Sequence, residues 1–224
     1  MTNFKFFLQF SLILLIFVFP PIFVNHSSDL EIDFSKFNFF IIPSLLLALF
    51  LYLQERLQKK NNPQRQSDVK RARFWTLADF SGTFFLTFGS LAICASLFEL
   101  AAIALKAQPS GNVILPSTFL EFLVCAFTLC ASAFYEECLY RLYLPKAFGV
   151  IARAKKNAAL FWLAEAAAVL LFAFAHKYQG TLALFNAMAA GIVLRLSYAK
   201  SKSVWPPFIA HLAYNAAALF LLGK

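Results

Sequence analysis

Long apolar runs separated by short polar connections make up most of this chain. The first two runs extend from Phe6 to Val24 and from Phe37 to Leu53. The others cover residues 80–105, 118–145, 157–176, 180–198 and 204–222. Because an α-helix needs about 20 apolar residues to cross a bilayer, this pattern predicts an all-α bundle of about seven transmembrane helices, with eight as the alternative count.

Charged residues are concentrated in the connections between these runs. Residues 54–73 form the most polar connection, which contains the bases Arg56, Lys59, Lys60, Arg65, Lys70, Arg71 and Arg73. Lys and Arg are enriched in the cytoplasmic loops of membrane proteins, so this segment is predicted to be a basic cytoplasmic loop. The bases at Lys155-Lys156 and at Lys200 place two further connections on the same side.

Composition also indicates a membrane protein. The chain of 224 residues is 61% hydrophobic and 14% charged, whereas soluble domains average about 45–50% and about 25%. Its net charge of +9 lies mainly in the connections, which fits a lipid surface and argues against a nucleic-acid partner. The four cysteines lie in apolar runs without metal-binding spacing and are predicted to be small buried hydrophobes. We expect one integral, multi-pass membrane domain over residues 1–224.

Three ionisable side chains lie near the end of the fourth run. They are Glu136, Glu137 and Arg141. Charged groups in a membrane helix are costly, so they usually face a cavity or a partner and mark function. Glu137 and Arg141 are spaced i and i+4 and can pair along one helix face, while Glu136 points about 100° away. One carboxylate is therefore held by the arginine and the other is available for chemistry.

The fifth and seventh runs carry polar groups that complement this stretch. Glu136 and His176 lie equally far from the Lys155-Lys156 turn, so a helical hairpin would place them at similar depth. The pair could activate a water molecule. His211 and Asn215, spaced i and i+4, could donate hydrogen bonds to the oxyanion of a tetrahedral intermediate. Residues 118–222 are therefore predicted to carry a hydrolytic centre in a polar cavity.

Each feature also has a simpler structural interpretation. Paired glutamates often form a solvated helix face, a lone histidine is often a hydrogen-bonded core residue, and an HxxxN pair is common as an interhelical clamp. Their coincidence in three helices of one chain favours a functional site. Zinc held by Glu136, His176 and His211 is the alternative chemistry. Because the HExxH signature is absent, we predict no cofactor.

Three short motifs resemble those of the CAAX protease and bacteriocin-processing family, also called Abi, which includes the type II CAAX prenyl endopeptidases. They are Glu136-Glu137-xxx-Arg141, Phe172-xxx-His176 and His211-xxx-Asn215. The resemblance covers about residues 134–215 and implies a bundle of seven or eight helices around a polar cavity. It also implies an intramembrane endopeptidase of glutamate type without an obligatory metal. The implied roles are water activation by Glu136 and His176, oxyanion stabilisation by His211 and Asn215, and support of the site by Glu137 and Arg141.

The resemblance implies a membrane-embedded or lipidated peptide as substrate. The compact, Phe-rich chain predicts a location in a bacterial inner membrane. A non-catalytic immunity or partner-binding protein, or a small transporter, is the alternative, although a transporter predicts an internal repeat and the sequence shows none. Glu99, Glu121 and Glu165 have no assigned role, with Arg195 and Arg141 as candidate partners.

Overall fold

The computed structural model describes residues 3–24, 31–61, 77–107, 112–152 and 157–222. Helices dominate these ranges. They are α1 (Asn3–Ile13), α2 (Phe19–Phe23), α3 (Ile41–Lys60), α4 (Leu77–Ala104), α5 (Phe119–Glu136), α6 (Leu144–Ile151), α7 (Ala158–Ala175), α8 (Thr181–Ser201) and α9 (Trp205–Leu222). Two π-helical segments, Leu14–Val18 and Glu137–Tyr143, join α1 to α2 and α5 to α6. A 3-10 turn, Lys177–Gln179, follows α7.

Within the described residues, five helical segments are long and apolar enough to cross a membrane. They are Phe4–Phe23, Leu77–Ala104, Phe119–Ile151, Ala158–Ala175 and Thr181–Ser201. The two other predicted spans are also helices, but α3 ends in the polar stretch 54–60 and α9 contains His211 and Asn215. The chain is therefore an all-α, multi-pass integral membrane protein, which confirms the predicted fold class.

Apolar side chains face outward along the spans. On α4, Phe85, Leu86 and Ile93 are 68%, 61% and 64% exposed. Such a large exposed apolar surface is that of a protein whose solvent is lipid. One polar contact between helices is buried: the Thr87 hydroxyl of α4 lies 2.8 Å from the Ser197 hydroxyl of α8. Small polar residues of this kind join helices closely inside membranes.

The fourth predicted span begins with a well-formed helix cap. The Thr118 hydroxyl accepts a hydrogen bond from the Glu121 backbone N–H at 3.3 Å. In return, the Glu121 carboxylate accepts one from the Thr118 backbone N–H at 3.1 Å. This reciprocal capping box satisfies two amide groups that the first turn of a helix leaves free. Glu121, which had no assigned role, therefore caps α5.

The fourth span continues to Ile151 as one helical unit of 33 residues. The π-helical segment Glu137–Tyr143 interrupts the regular α-helix within this unit. Pro145 follows in the first turn of α6, and because it has no N–H it cannot donate to the Arg141 carbonyl four residues earlier. π-helical turns are rare and are frequent at functional sites. This one contains Glu137 and Arg141.

Several boundaries differ from the predicted ones. Helix α3 runs on to Lys60, so residues 54–60 are helical rather than part of the basic loop. The rest of that loop, and the bases Arg153, Lys155 and Lys156, lie outside the described residues. The sequence did not predict the parallel pairing of two three-residue strands, β1 (Glu31–Asp33) and β2 (Asn112–Ile114). These strands precede α3 and α5 and hold the starts of the two helices together.

Candidate functional site

Two adjacent carboxylates occupy the junction between α5 and the π-helical segment. Glu136 is the last residue of α5 and Glu137 the first of the π-helical segment. The Glu136 side chain is 20% exposed, whereas that of Glu137 is 0% exposed. Consecutive helical residues point about 100° apart, which explains why two neighbouring glutamates have such different surroundings. Glu136 is thus the more accessible of the two acids.

His211 of α9 lies between these carboxylates. Its Nδ1 is 3.0 Å from Oε1 of Glu137, and its Nε2 is 3.7 Å from Oε2 of Glu136. An ionised carboxylate only accepts hydrogen bonds, so Nδ1 of His211 donates to Glu137. In the neutral imidazole, Nε2 is then the proton acceptor and faces Glu136. The 3.7 Å separation exceeds a direct hydrogen bond and suits a bridging water.

Arg141 is held next to Glu137 but is not fully hydrogen-bonded. Its Nε lies 3.6 Å from Oε1 of Glu137, and its side chain is 2% exposed. The guanidinium carbon lies 3.9 Å from the centre of the Phe172 ring, a cation–π contact. The Arg141–Glu137 pair along one helix face is the one expected from the i, i+4 spacing.

Phe172 connects the charged groups to both histidines. Its ring centre lies 4.6 Å from that of His176 and 6.3 Å from that of His211. Phe172 is 2% exposed. The motif Phe172-xxx-His176 therefore contributes two side chains to the site. Sequence reasoning gave the phenylalanine no role, although its place in the motif was visible.

His176 caps the C-terminal end of α7. Its Nδ1 lies 2.8 Å from the Phe172 carbonyl oxygen, which can only accept, so Nδ1 donates and Nε2 is the acceptor of the neutral ring. The sequence predicts that His176 and Glu136 lie at similar depth. Among the described residues, the histidine in contact with Glu136 is His211. His176 reaches the charged cluster through Phe172.

Asn215 lies one helical turn beyond His211 on α9 and is partly exposed. This spacing places the two side chains on the same helix face. The neighbouring Tyr214 hydroxyl accepts a hydrogen bond from the Asn186 amide of α8 at 3.2 Å. That bond ties α9 to α8 at the level of Asn215. The structure therefore brings Glu136, Glu137, Arg141 and His211 into contact, and Asn215 lies one turn beyond His211 on the same helix.

Tyr178 is a further group near Glu136, and no sequence pattern indicated it as a site residue. It follows His176 in the 3-10 turn, and Gln179 donates a hydrogen bond to its hydroxyl at 3.0 Å. Burial raises the pKa of the Tyr178 phenol, and the charge of Glu136 raises it further. The phenol therefore keeps its proton at neutral pH and can donate a hydrogen bond near Glu136.

The donor set for a metal is incomplete in this cluster. In the part of the chain that the structure describes, no group of three or more His, Cys, Asp or Glu side chains has metal-binding geometry. Of the three ligands considered for zinc, Glu136 and His211 lie 3.7 Å apart, while the ring of His176 lies against Phe172. Both nitrogens of His211 already face carboxylates.

Gly191 of α8 gives Phe172 the room that it needs. A Cβ atom at Gly191 would lie 3.1 Å from Cδ1 of Phe172 and 3.3 Å from Cγ1 of Val169. We expect Gly191→Ala to lower the free energy of unfolding by about 1–3 kcal/mol, the usual cost of overpacking. Unfolding in mixed micelles measures the change. Gly89→Ala is the matched control, since nothing lies within 4 Å of its Cβ position. Equal stability of the two variants would contradict the close packing at Gly191.

One comparison with known proteins finds a match to this region. The model of a family described as type II CAAX prenyl endopeptidase Rce1-like matches residues 117–217. No curated protein and no solved structure matches the chain. The matched segment begins just before α5 and contains all six of the predicted site residues. It confirms the resemblance that the three motifs indicated: residues 117–217 match the Rce1-like family model of CAAX prenyl endopeptidases.

Proposed function

We propose that this protein is an intramembrane endopeptidase that hydrolyses a peptide bond of a membrane-associated peptide with a water molecule activated at Glu136. The observation that carries the proposal is the contact of His211 with two carboxylates, one partly exposed and one fully buried, in the family-matched segment. Carboxylates in different surroundings are suited to different roles. Glu136 acts on the substrate, and Glu137 orients the histidine.

Glu136 is the proposed general base. A water between its Oε2 and Nε2 of His211, which are 3.7 Å apart, would be within reach of both. Glu136 takes one proton from this water as the oxygen attacks the carbonyl carbon of the scissile bond. The carbonyl oxygen becomes an oxyanion. When the C–N bond breaks, the amine leaving group receives the proton from Glu136.

Glu137 and Arg141 are proposed to fix the orientation of His211. Because Nδ1 of His211 donates to Glu137, Nε2 is directed toward Glu136 and the attacking water. A buried carboxylate that holds a histidine in one tautomer has the same role in hydrolytic triads. Arg141 pairs with Glu137 from the same helix face and helps to hold this carboxylate in position. Neither residue needs to touch the substrate.

His176 and Asn215 complete the proposed set. With Nδ1 bonded to the Phe172 carbonyl, His176 has Nε2 available to share the proton that Glu136 removes. His211 and the Asn215 amide are the proposed donors to the oxyanion, and for His211 this role requires a proton on Nε2 in addition to the one that Nδ1 donates to Glu137. Tyr178, close to Glu136 and protonated, is an additional donor.

The proposed substrate is a lipidated C-terminal segment or another hydrophobic peptide that reaches the bilayer. The support for it is the description of the matched family, which names CAAX prenyl endopeptidases, together with the outward apolar surface of the spans. A lipid-borne peptide can approach such a site laterally. We also propose that hydrolysis needs no metal and that the protein resides in a bacterial inner membrane.

Peptide hydrolysis by the purified protein in liposomes tests the proposal. The substrates are quenched-fluorescence peptides with a prenylated cysteine, their unlipidated counterparts and a hydrophobic helical peptide. We expect cleavage at one bond, with one oxygen from H₂¹⁸O in the new carboxylate and the same rate in a chelator. His176→Ala should lower the rate about 10²-fold or more, and His26→Ala serves as the matched histidine control.

Two results would contradict parts of this proposal. Equal rates for the wild type and His176→Ala would remove His176 from the reaction. Inhibition by the chelator with recovery on adding zinc would replace the metal-independent mechanism by the zinc alternative. Failure to cleave any of the peptides would favour the non-catalytic alternative, a membrane immunity or partner-binding protein.

A further inference from the structure

An ion pair outside the three motifs joins α7 to α8. Arg195 makes a two-pronged contact with Glu165, its Nε and Nη2 each donating to one carboxylate oxygen. The side chains are only 19% and 14% exposed. The guanidinium also lies over the Tyr198 ring, 5.2 Å from its centre. Charged groups are costly in membrane spans, so an ion pair that joins two spans usually marks a functional role.

The same guanidinium reaches the candidate site. Nη1 of Arg195 donates to the backbone carbonyl of Arg141 at 3.4 Å. Arg141 lies in the π-helical segment Glu137–Tyr143. A π turn interrupts the regular i→i+4 hydrogen bonding of an α-helix, and buried carbonyl groups need donors. Arg195 therefore contacts the residue whose own side chain pairs with Glu137.

Among the described residues, the second π-helical segment, Leu14–Val18, also receives a hydrogen bond from a side chain of another helix. In Leu14–Val18 the Phe17 carbonyl accepts a hydrogen bond from the Tyr135 hydroxyl at 3.0 Å. In both segments a side chain from a different helix donates to a π-turn carbonyl. For Leu14–Val18 the donor is neutral. For Glu137–Tyr143 it is a cation that Glu165 holds in place.

We propose that Arg195, oriented by Glu165, is a positioning residue that holds the π-helical segment in the conformation that places Glu137 against His211. Its planar fork uses two nitrogens for Glu165 and a third for the Arg141 carbonyl. Lysine has a single nitrogen and cannot reproduce this three-point contact. The role rests on the proposed endopeptidase function, because the conformation that it maintains is that of the proposed active site.

The alternative is that the ion pair only joins α7 to α8. A charge exchange separates the two roles. In the double variant Glu165→Arg/Arg195→Glu, opposite charges still face each other across the two helices. A carboxylate at position 195 cannot donate to the Arg141 carbonyl. We expect this exchange to recover most of the thermal stability lost in Glu165→Arg alone but not the catalytic rate.

The experiment uses the full chain in nanodiscs and combines kinetics with NMR of ¹⁵N-labelled histidine. We expect Arg195→Lys to lower kcat roughly 10- to 100-fold at nearly unchanged KM, the effect of misplacing catalytic groups without losing substrate contacts. The His211 Nδ1–H signal, which reports the bond to Glu137, should shift in the same variant. Lys200→Gln, which removes an exposed cation of α8, should change neither quantity.

Each outcome decides between the alternatives. A charge exchange that regains the wild-type kcat, or an Arg195→Lys variant with unchanged kcat and unchanged His211 signals, would overturn the positioning role. The NMR measurement needs no substrate. If the wild type cleaves no peptide but the His211 signal still shifts in Arg195→Lys, the positioning role holds and the proposed endopeptidase function fails. The single variant also keeps the test decisive if the double variant does not fold.

Discussion

Glu136→Gln is expected to lower kcat for peptide hydrolysis by about 10²- to 10⁴-fold, the usual contribution of a general base. Glutamine has nearly the same shape as glutamate but cannot accept the proton from water. The side chain is 20% exposed and lies 3.7 Å from His211, so the fold should tolerate this nearly isosteric change. Single-turnover cleavage in liposomes measures kcat, and circular dichroism verifies the helix content.

Glu99→Gln is the matched control for this prediction. Glu99 is another glutamate of a membrane span, exposed on α4, and its replacement should leave kcat unchanged. A residual kcat for Glu136→Gln above about a tenth of the wild-type value would contradict the assignment of Glu136 as the base. In that case His176, whose Nε2 is also an acceptor, would be the group to replace next.

Arg141→Met is expected to lower the free energy of unfolding by about 3–5 kcal/mol, the usual effect of removing one partner of a buried ion pair. Glu137 is 0% exposed and Arg141 2%, so loss of the cation leaves the carboxylate with His211 as its one described partner. The change also removes the cation–π contact with Phe172. Reversible unfolding in mixed micelles measures the difference.

Two further variants test the cause of this destabilisation. Adding Glu137→Gln to Arg141→Met removes the unpaired buried charge, so we expect the double variant to be more stable than Arg141→Met alone. The glutamine oxygen can still accept from Nδ1 of His211. Arg56→Met, which removes an exposed cation over Tyr52 at 5.7 Å, should cost no more than about 1 kcal/mol. Additive losses in the double variant would contradict the ion-pair explanation.

The fold class and the identity of the site helices could be predicted because they depend on local properties of the sequence. An uninterrupted apolar run predicts a membrane helix whatever its neighbours are. The spacing of Glu137 and Arg141 predicts their contact because one helix brings both to the same face, and the structure has that pair. The motif pattern also indicated the family that matches residues 117–217.

Contacts between helices depend on how each helix is rotated about its axis and tilted. Counting residues from a turn predicts only the depth of a side chain in the membrane. Equal distance from a turn predicts that His176 and Glu136 lie at similar depth, but it does not predict that Nδ1 of His176 bonds to the Phe172 carbonyl and its ring lies against Phe172. It also did not predict that His211 contacts Glu136. The π-helical segment has a further effect on which side chains meet. Its wider turn rotates the side chains that follow it relative to those of a continuous α-helix.

The sequence by itself determined that this is a helical membrane protein and which residues are polar enough to form its site. Only the tertiary structure decided how those residues pair. Glu165 had two candidate partners, Arg141 and Arg195, and helix packing selected Arg195 while leaving Arg141 to Glu137. The physical reason is that a charge pair inside a membrane forms wherever two helices bring opposite charges together, and this arrangement is a property of the whole bundle.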